Sequence, residues 1–154
     1  MLSAQSASQD FITSICHFIC LSVMTDYSSY FDLVTETHVE IEDWFSGLEP
    51  GVLPVLLARF SPQFSMITPT GKVLDAKGVE TLFEQLRGAR PGLKITLSEF
   101  QGIALHAEGA VVSYRELQEE HNGTRTDRRA TVVFERDTSG KVLWRHLHET
   151  FSAG

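Results

Sequence analysis

A change of hydrophobic period near Pro91 constrains the fold of this chain most. Before it, apolar residues recur at spacings of three, four or seven, the period of an amphipathic helix. After it, they alternate every second residue, the period of a β-strand. Four such runs, at 94–106, 110–121, 125–136 and 141–151, are separated by Glu108-Gly109, Asn122-Gly123 and Ser139-Gly140. These dipeptides are typical of tight turns, so we predict four long antiparallel strands.

The part of the chain before Pro91 predicts helices and one short hairpin. Residues 27–46 form a predicted long helix that ends near Gly47, and residues 52–60 a short second one. A strand at 64–69 is expected to pair with 72–74. Asp75 then stands where the N-cap of a third helix should be. The apolar residues of that helix follow at i, i+3, i+4 and i+7: Val79, Leu82, Phe83 and Leu86.

This order of elements predicts the fold class. Long strands accumulate twist, so a sheet of four such strands must curve. Its concave face has to be covered, and the preceding helices are the available cover. We therefore expect an α+β fold, a strongly curved antiparallel sheet packed on about three N-terminal helices as a cone with a central pocket. The expected domains are an apolar, helical extension over 1–24 and the α+β domain over 25–154.

Charge argues against a nucleic-acid partner. The 154 residues carry a formal net charge of −7, whereas phosphate binding needs a basic stripe. All 13 lysines and arginines occur from Arg59 onward, and eight acidic residues precede it. The acidic first helix is either a solvated face or a docking surface for a basic partner.

The apolar run over 11–24 is too short to span a bilayer as a helix. The residues before it, MLSAQSASQD, contain no lysine or arginine for the basic region of a secretory signal. We expect a cytoplasmic protein without membrane contact, with an uncleaved anchor as the alternative. Cys16 and Cys20 are four apart and are expected to be buried free thiols on one helix face, since that spacing suits neither a disulfide nor a zinc site. No cofactor and no metal are expected.

Two stretches carry a resemblance to a known family. The segment RFSPQFSMITPTGKVLDAKGVETLFEQL at 59–86 resembles the helix, strand, hairpin and helix of SnoaL-like domains, in the nuclear-transport-factor-two-like superfamily. The segment VLWRHLHETF at 142–151 resembles their last strand. The resemblance covers about residues 27–152. It implies a cone-shaped fold, a pocket between sheet and helices, and frequent homodimers through the sheet. Members include polyketide cyclases, ketosteroid isomerase, scytalone dehydratase and kinase association domains, but the carboxylate base and oxyanion pair of the isomerases match no position here.

Two histidines on the predicted last strand are the best catalytic candidates. His146 and His148 are two apart and are expected to share a face with Trp144 and Thr150. Imidazole can act as acid or base near neutral pH. The alternative is that one is a structural histidine and the other lines a polar wall without chemistry.

Further candidates lie on the first helix and the second long strand. His38 interrupts the apolar stripe of its helix, either as a core histidine with a partner such as Glu42 or as a pocket residue. Tyr114 and Glu116 share a strand face and could handle protons, unless they form cross-strand ion pairs with Arg128 or Arg129. The expected ligand contacts are His38, Trp44, Tyr114, Glu116, His146 and His148.

The sequence thus favours a small-molecule-binding domain, with general acid–base chemistry of the cyclase, isomerase or dehydratase type as its enzymatic form. The alternative is a non-catalytic protein-interaction or dimerisation module. Apolar residues occupy both alternation phases of several strands, as in Val111-Val112, Val132-Val133 and Leu143-Trp144. A sheet wetted on one face would alternate cleanly, so we expect a homodimer through the sheet.

Overall fold

A computed structural model describes residues 27–153 of this protein. The predicted extension at 1–24, with Cys16 and Cys20, lies outside the described residues. Within them the chain forms three helices and six strands. In chain order they are α1 (Ser28–Ser46), α2 (Val52–Leu57), β1 (Phe60–Ile67), β2 (Val73–Asp75), α3 (Ala76–Leu86), β3 (Lys94–His106), β4 (Gly109–Glu119), β5 (Arg125–Arg136) and β6 (Val142–Phe151).

The six strands form one curved sheet in the order β2-β1-β6-β5-β4-β3. The four long strands are consecutive antiparallel neighbours, and the predicted α+β cone is confirmed. β1 lies beside β6 and runs parallel to it, although α3 and four hairpin turns separate them in the chain. β1 also begins at Phe60, earlier than predicted, and a register shift follows between Phe60 and Ser65. Because of this shift, the first residues of β1 do not alternate regularly in the sequence, and the strand was predicted to begin later.

The helices follow their predicted signals. α1 buries Tyr30, Val34 and His38 on one stripe and ends at Gly47, whose φ of 76° is the left-handed conformation that glycine adopts without strain. α3 begins at Asp75, whose carboxylate accepts a hydrogen bond from the Gly78 amide at 2.8 Å. Among residues 27–153, no helix is both long enough and apolar enough to cross a membrane.

Three hairpins of the sheet share one turn geometry. In each, the backbone amide of the first turn residue donates a hydrogen bond to the carbonyl of the residue four positions later, as from Glu120 to Thr124 at 2.9 Å. The residue before the last is a left-handed glycine, with φ of 85°, 86° and 86° at Gly71, Gly123 and Gly140. The Asn-Gly and Ser-Gly pairs therefore end a longer turn instead of forming a two-residue one. The turn predicted at Glu108-Gly109 lies one residue earlier, at 107–108, because Gly109 already begins β4.

β6 contains a bulge that determines which side chains face the helices. Val133 pairs with His146, but Phe134 pairs with Trp144, so Arg145 is an extra residue on the bulged strand. An extra residue reverses the alternation of every side chain beyond it. Trp144 is buried in the core, and after the bulge Leu147 again faces the helices.

Candidate functional site

A cavity of about 220 Å³ lies between the helices and the concave face of the sheet. Most of its wall is apolar and aromatic, as with Phe60, Phe64, Met66, Phe83, Trp144 and Leu147. Its polar side chains are contributed by α1, the loop after α3, β4, β5 and β6. They include His38, Arg90, Glu116, Gln118, Arg128 and Glu149. An apolar cavity with a few convergent polar groups is the usual form of a small-molecule site.

The inward face of β4 changes from apolar to polar along the strand. Alternate residues face inward, and Val112, Tyr114, Glu116 and Gln118 are all at most 4% exposed. Because the strand period is two, this row is continuous on one face. The polar row therefore stands opposite α1, which carries His38.

His38 is held by both ring nitrogens. Nδ1 donates to the Val34 carbonyl at 2.8 Å, since a carbonyl only accepts. Nε2 lies 3.2 Å from Oε2 of Glu116 and 3.4 Å from the Tyr114 hydroxyl. With Nδ1 committed as a donor, Nε2 is the nitrogen that can exchange a proton.

Gln118 extends this contact toward two arginines. Its amide nitrogen donates to the Glu116 carboxylate. Its oxygen accepts from Nη1 of Arg90 at 2.6 Å and from Nη2 of Arg128 at 3.1 Å. Arg90 also pairs with Glu120 at 2.6 Å. The polar side chains therefore form one connected network.

The buried pair of His38 and Glu116 favours its charged forms. Burial lowers the pKa of His38, but the charge and hydrogen bond of Glu116 and the Val34 carbonyl outweigh it, so the net shift is upward. Burial raises the pKa of Glu116, but His38 and Arg128 reverse that effect and hold it low, at about 2. Both shifts favour the form of this pair with an imidazolium and a carboxylate.

Glu149 is shifted in the opposite direction. Burial, and then the negative charge of Glu116, raise its pKa to about 7, although Arg128 opposes the shift. Burial also raises the pKa of Tyr114 well above its usual value, so that phenol stays protonated. The cavity thus combines an ionised carboxylate with a carboxyl that is partly protonated at neutral pH.

His146 and His148 do not join this site, which corrects the expectation that they face the pocket. In a regular strand they would face the same side as Trp144. The extra residue at Arg145 reverses the alternation, so both histidines lie on the outer face of the sheet. His146 accepts or donates a hydrogen bond at Nδ1 with the Ser65 hydroxyl at 2.8 Å, and His148 is exposed.

Two other candidates also lie apart from the cavity. Trp44 is buried against α3 and donates from Nε1 to the Phe83 carbonyl at 2.7 Å. Glu42 accepts from Lys94 and from the Ile95 amide, so the partner of His38 is Glu116 instead. The structure thus brings together His38, Tyr114 and Glu116 from the expected set.

Sequence reasoning missed Arg90, Gln118 and Glu149, and assigned Arg128 only a cross-strand ion pair. Gln118 was detectable, because it continues the alternation of Glu116. Glu149 could have been found from the odd spacing of Trp144 and Leu147, two apolar residues three apart that a regular strand cannot place on one face. In the part of the chain that the structure describes, no group of three histidine, cysteine, aspartate or glutamate side chains has the arrangement of a metal site.

The fold has counterparts among solved structures. An NTF2-like protein of unknown function from Pseudomonas aeruginosa is 42% identical over 80% of this chain and 98% of its own, with a TM-score of 0.76. The chain belongs to the NTF2-like family. No protein-family model matches it, and no curated protein sequence does.

More distant NTF2-like structures share the fold. A candidate dehydratase from Streptomyces avermitilis is 15% identical with a TM-score of 0.63, covering 80% of this chain and 96% of its own. The association domain of C. elegans CaMKII is also 15% identical, with a TM-score of 0.61, covering 82% and 98%. At such identities the similarity concerns the fold, and activity has to be argued from the site itself.

Proposed function

We propose that this NTF2-like protein binds a small, partly apolar molecule in its cavity and transfers a proton to or from it. The observation that carries the proposal is the convergence of three buried titratable groups, His38, Glu116 and Glu149, on an apolar cavity of about 220 Å³. Structural ion pairs also shift pKa values. Here, however, two carboxyls beside one cavity are shifted in opposite directions, which is the arrangement that separates acid from base.

The roles follow from the protonation states. The raised pKa of His38 favours its imidazolium, whose Nε2 can donate to a ligand carbonyl or leaving hydroxyl, and Tyr114 lies beside it as a neutral donor. Glu149, with a pKa of about 7, is ionised in part and can remove a proton from carbon. Cyclisation, isomerisation and dehydration all need such a pair.

The binding step is tested with 4-phenylbutan-2-one, a neutral aromatic ketone. We expect it to shift the amide resonances of cavity residues such as Phe64 and Leu147 in a titration followed by NMR. Leu82 lines the cavity, and Leu82→Trp should reduce the affinity about tenfold or more by filling it. Glu84→Trp places the same side chain at an exposed position of α3 and should leave the affinity unchanged.

The proton-transfer step is tested by deuterium exchange at the α-carbon of the same ketone in D₂O. His38→Gln and Glu149→Gln should each slow the protein-dependent exchange by about 10²-fold, the usual contribution of one general acid or base. Glu135→Gln removes a carboxyl from the outer face and should not change it. Unaltered exchange in the His38 and Glu149 variants would contradict the catalytic part of the proposal, and a wild-type protein that fails to bind would contradict all of it.

We also propose that two copies of the chain pair through the outer face of the sheet. The centre of that face is neutral and partly apolar, with Val111 directly opposite Val133 and His146 beyond it. Its border carries Arg115, Arg129 and their acidic partners. A neutral centre with a charged border is typical of a protein interface. The similarity in fold to an association domain agrees with this proposal.

A further inference from the structure

Arg128 on β5 has a buried side-chain nitrogen that lacks a partner among the described residues. Among the described residues, two buried side-chain polar atoms have no hydrogen-bond partner, Arg128 Nε and Thr126 Oγ1. Both residues face inward at the same end of β5. The guanidinium of Arg128 makes one hydrogen bond within residues 27–153, to Gln118, and its ion pair with Glu149 spans 3.6 Å. A buried donor without a partner is costly, so this guanidinium has unused capacity for an acceptor.

A second guanidinium stands beside it. Arg90 and Arg128 donate to the same oxygen of Gln118, at 2.6 and 3.1 Å, so their charged groups converge on one point at the cavity wall. Both side chains are 18% exposed, enough to keep a route to solvent. The centre of the Phe151 ring lies 5.9 Å from the Arg128 guanidinium, within the range of a cation–π contact.

The charges of the lining favour an anion. Three basic groups, His38, Arg90 and Arg128, line the cavity together with the carboxyls of Glu116 and Glu149. Glu116 balances His38, and Glu120 balances Arg90. Glu149 is the remaining counter-charge for Arg128, and it is more than a hydrogen bond away. Among the described residues, Arg128 is therefore the basic group of the cavity without a carboxylate at hydrogen-bond distance.

We propose that the ligand of this cavity is an organic carboxylate with an apolar body, and that Arg128 and Arg90 hold its carboxylate. Planar guanidinium groups match the two oxygens of a carboxylate. The aromatic wall of Phe60, Phe64 and Phe83 encloses the apolar body. This inference rests on the proposed function, because it names the ligand class of the same cavity.

Binding should also change protonation. A carboxylate beside Arg128 adds a negative charge near Glu149 and so raises the pKa of that side chain further. Fewer molecules then carry the ionised form, and that form is a stronger base. We expect proton uptake on binding near pH 7, measured by calorimetry in buffers of different ionisation enthalpy. Neutral ligands of the same shape should produce less uptake.

The test compares 3-phenylpropanoate, 3-phenylpropanamide and 3-phenylpropan-1-amine by isothermal calorimetry at low salt. The wild-type protein should bind the carboxylate about tenfold more tightly than the amide, the gain of charge-assisted hydrogen bonds, and the amine most weakly. Arg128→Gln should reduce the preference for carboxylate over amide to about twofold or less. Arg125→Gln is the matched control, because this residue of β5 lies on the outer face, is 64% exposed and should keep the full preference.

Each result has a defined consequence. Equal binding of all three compounds, tightest binding of the amine, or an unchanged preference in Arg128→Gln overturns the inference but leaves the proposed cavity function standing. Failure of all three to bind, together with failure of the neutral ketone, overturns both. If Arg128→Gln does not fold, Arg90→Gln and the charge-retaining Arg128→Lys replace it, and both must weaken the preference.

Discussion

At the scale of single residues, this protein places two glutamates in one cavity and shifts their acidities apart. Glu116 lies 3.2 Å from His38 and has a lowered pKa. Glu149 has no cation within hydrogen-bond distance among residues 27–153, and its pKa is raised. Burial opposes ionisation at both positions, so the difference comes from their neighbours. Tyr114 and Glu116 could be assigned to one face from alternation alone. The partner of His38 could not be assigned, because it lies 78 residues away.

The raised pKa of Glu149 predicts how stability depends on pH. Because its folded-state pKa exceeds the unfolded value, the unfolded chain ionises first, and the free energy of unfolding falls as pH rises from about 4.5 to about 7. Glu149→Gln removes this loss. From pH 5 to pH 8, the free energy of unfolding of the variant should therefore rise by about 2 kcal/mol relative to that of the wild type. Urea unfolding across that range measures it. Glu84→Gln, on the exposed face of α3, should follow the wild type, and a Glu149 variant with a parallel profile would contradict the assignment.

At the scale of elements, local signals predicted where most helices and strands lie. The Asp75 cap, the stripe of α3 and the four alternating runs all appear at their predicted places. The bulge in β6 was not predicted. The three-residue spacing of Trp144 and Leu147 indicates an irregular strand, but the position of the extra residue depends on the pairing with β5. The bulge is the reason that Glu149 faces the cavity and His148 does not.

The N-cap of α3 provides a test at this scale. Asp75→Ala leaves the Gly78 amide without its acceptor and should lower the free energy of unfolding by about 1 kcal/mol. Asp75→Asn keeps a side-chain oxygen and should lose much less. Chemical denaturation compares the three proteins. Because α3 carries Val79, Leu82 and Phe83 against the cavity, the alanine variant should also bind the test ketone more weakly.

At the scale of the whole molecule, the two faces of the curved sheet differ in what covers them. Helices cover the concave face and leave the cavity, while the outer face presents a neutral centre that includes Val111 and Val133. In the proposed dimer this second face is buried against another copy. The two apolar phases of the strands are consistent with this, since Val112 and Val132 belong to the core and their neighbours do not.

Association of two copies is tested by sedimentation equilibrium at micromolar concentration. The wild type should sediment as a dimer. Val133→Glu should shift it to monomer. Burying a charge without a partner in an interface is unfavourable, so the variant keeps the glutamate in water and the copies apart. Val39→Glu makes the same change on an exposed face of α1, at a position 55% exposed, and should not affect the equilibrium. A monomeric wild type would contradict the dimer.

The sequence by itself determined the α+β class, the order of the elements and the face shared by Tyr114 and Glu116, because periodicity and capping are properties of neighbouring residues. Tertiary structure alone decided the membership of the polar network. His38, Arg90, Glu116, Arg128 and Glu149 come from five separate segments. They meet because the sheet curves around α1 and because one extra residue in β6 reverses its alternation. Neither the curvature nor the bulge is a property of a single segment, since both arise from how strands pair across the whole sheet.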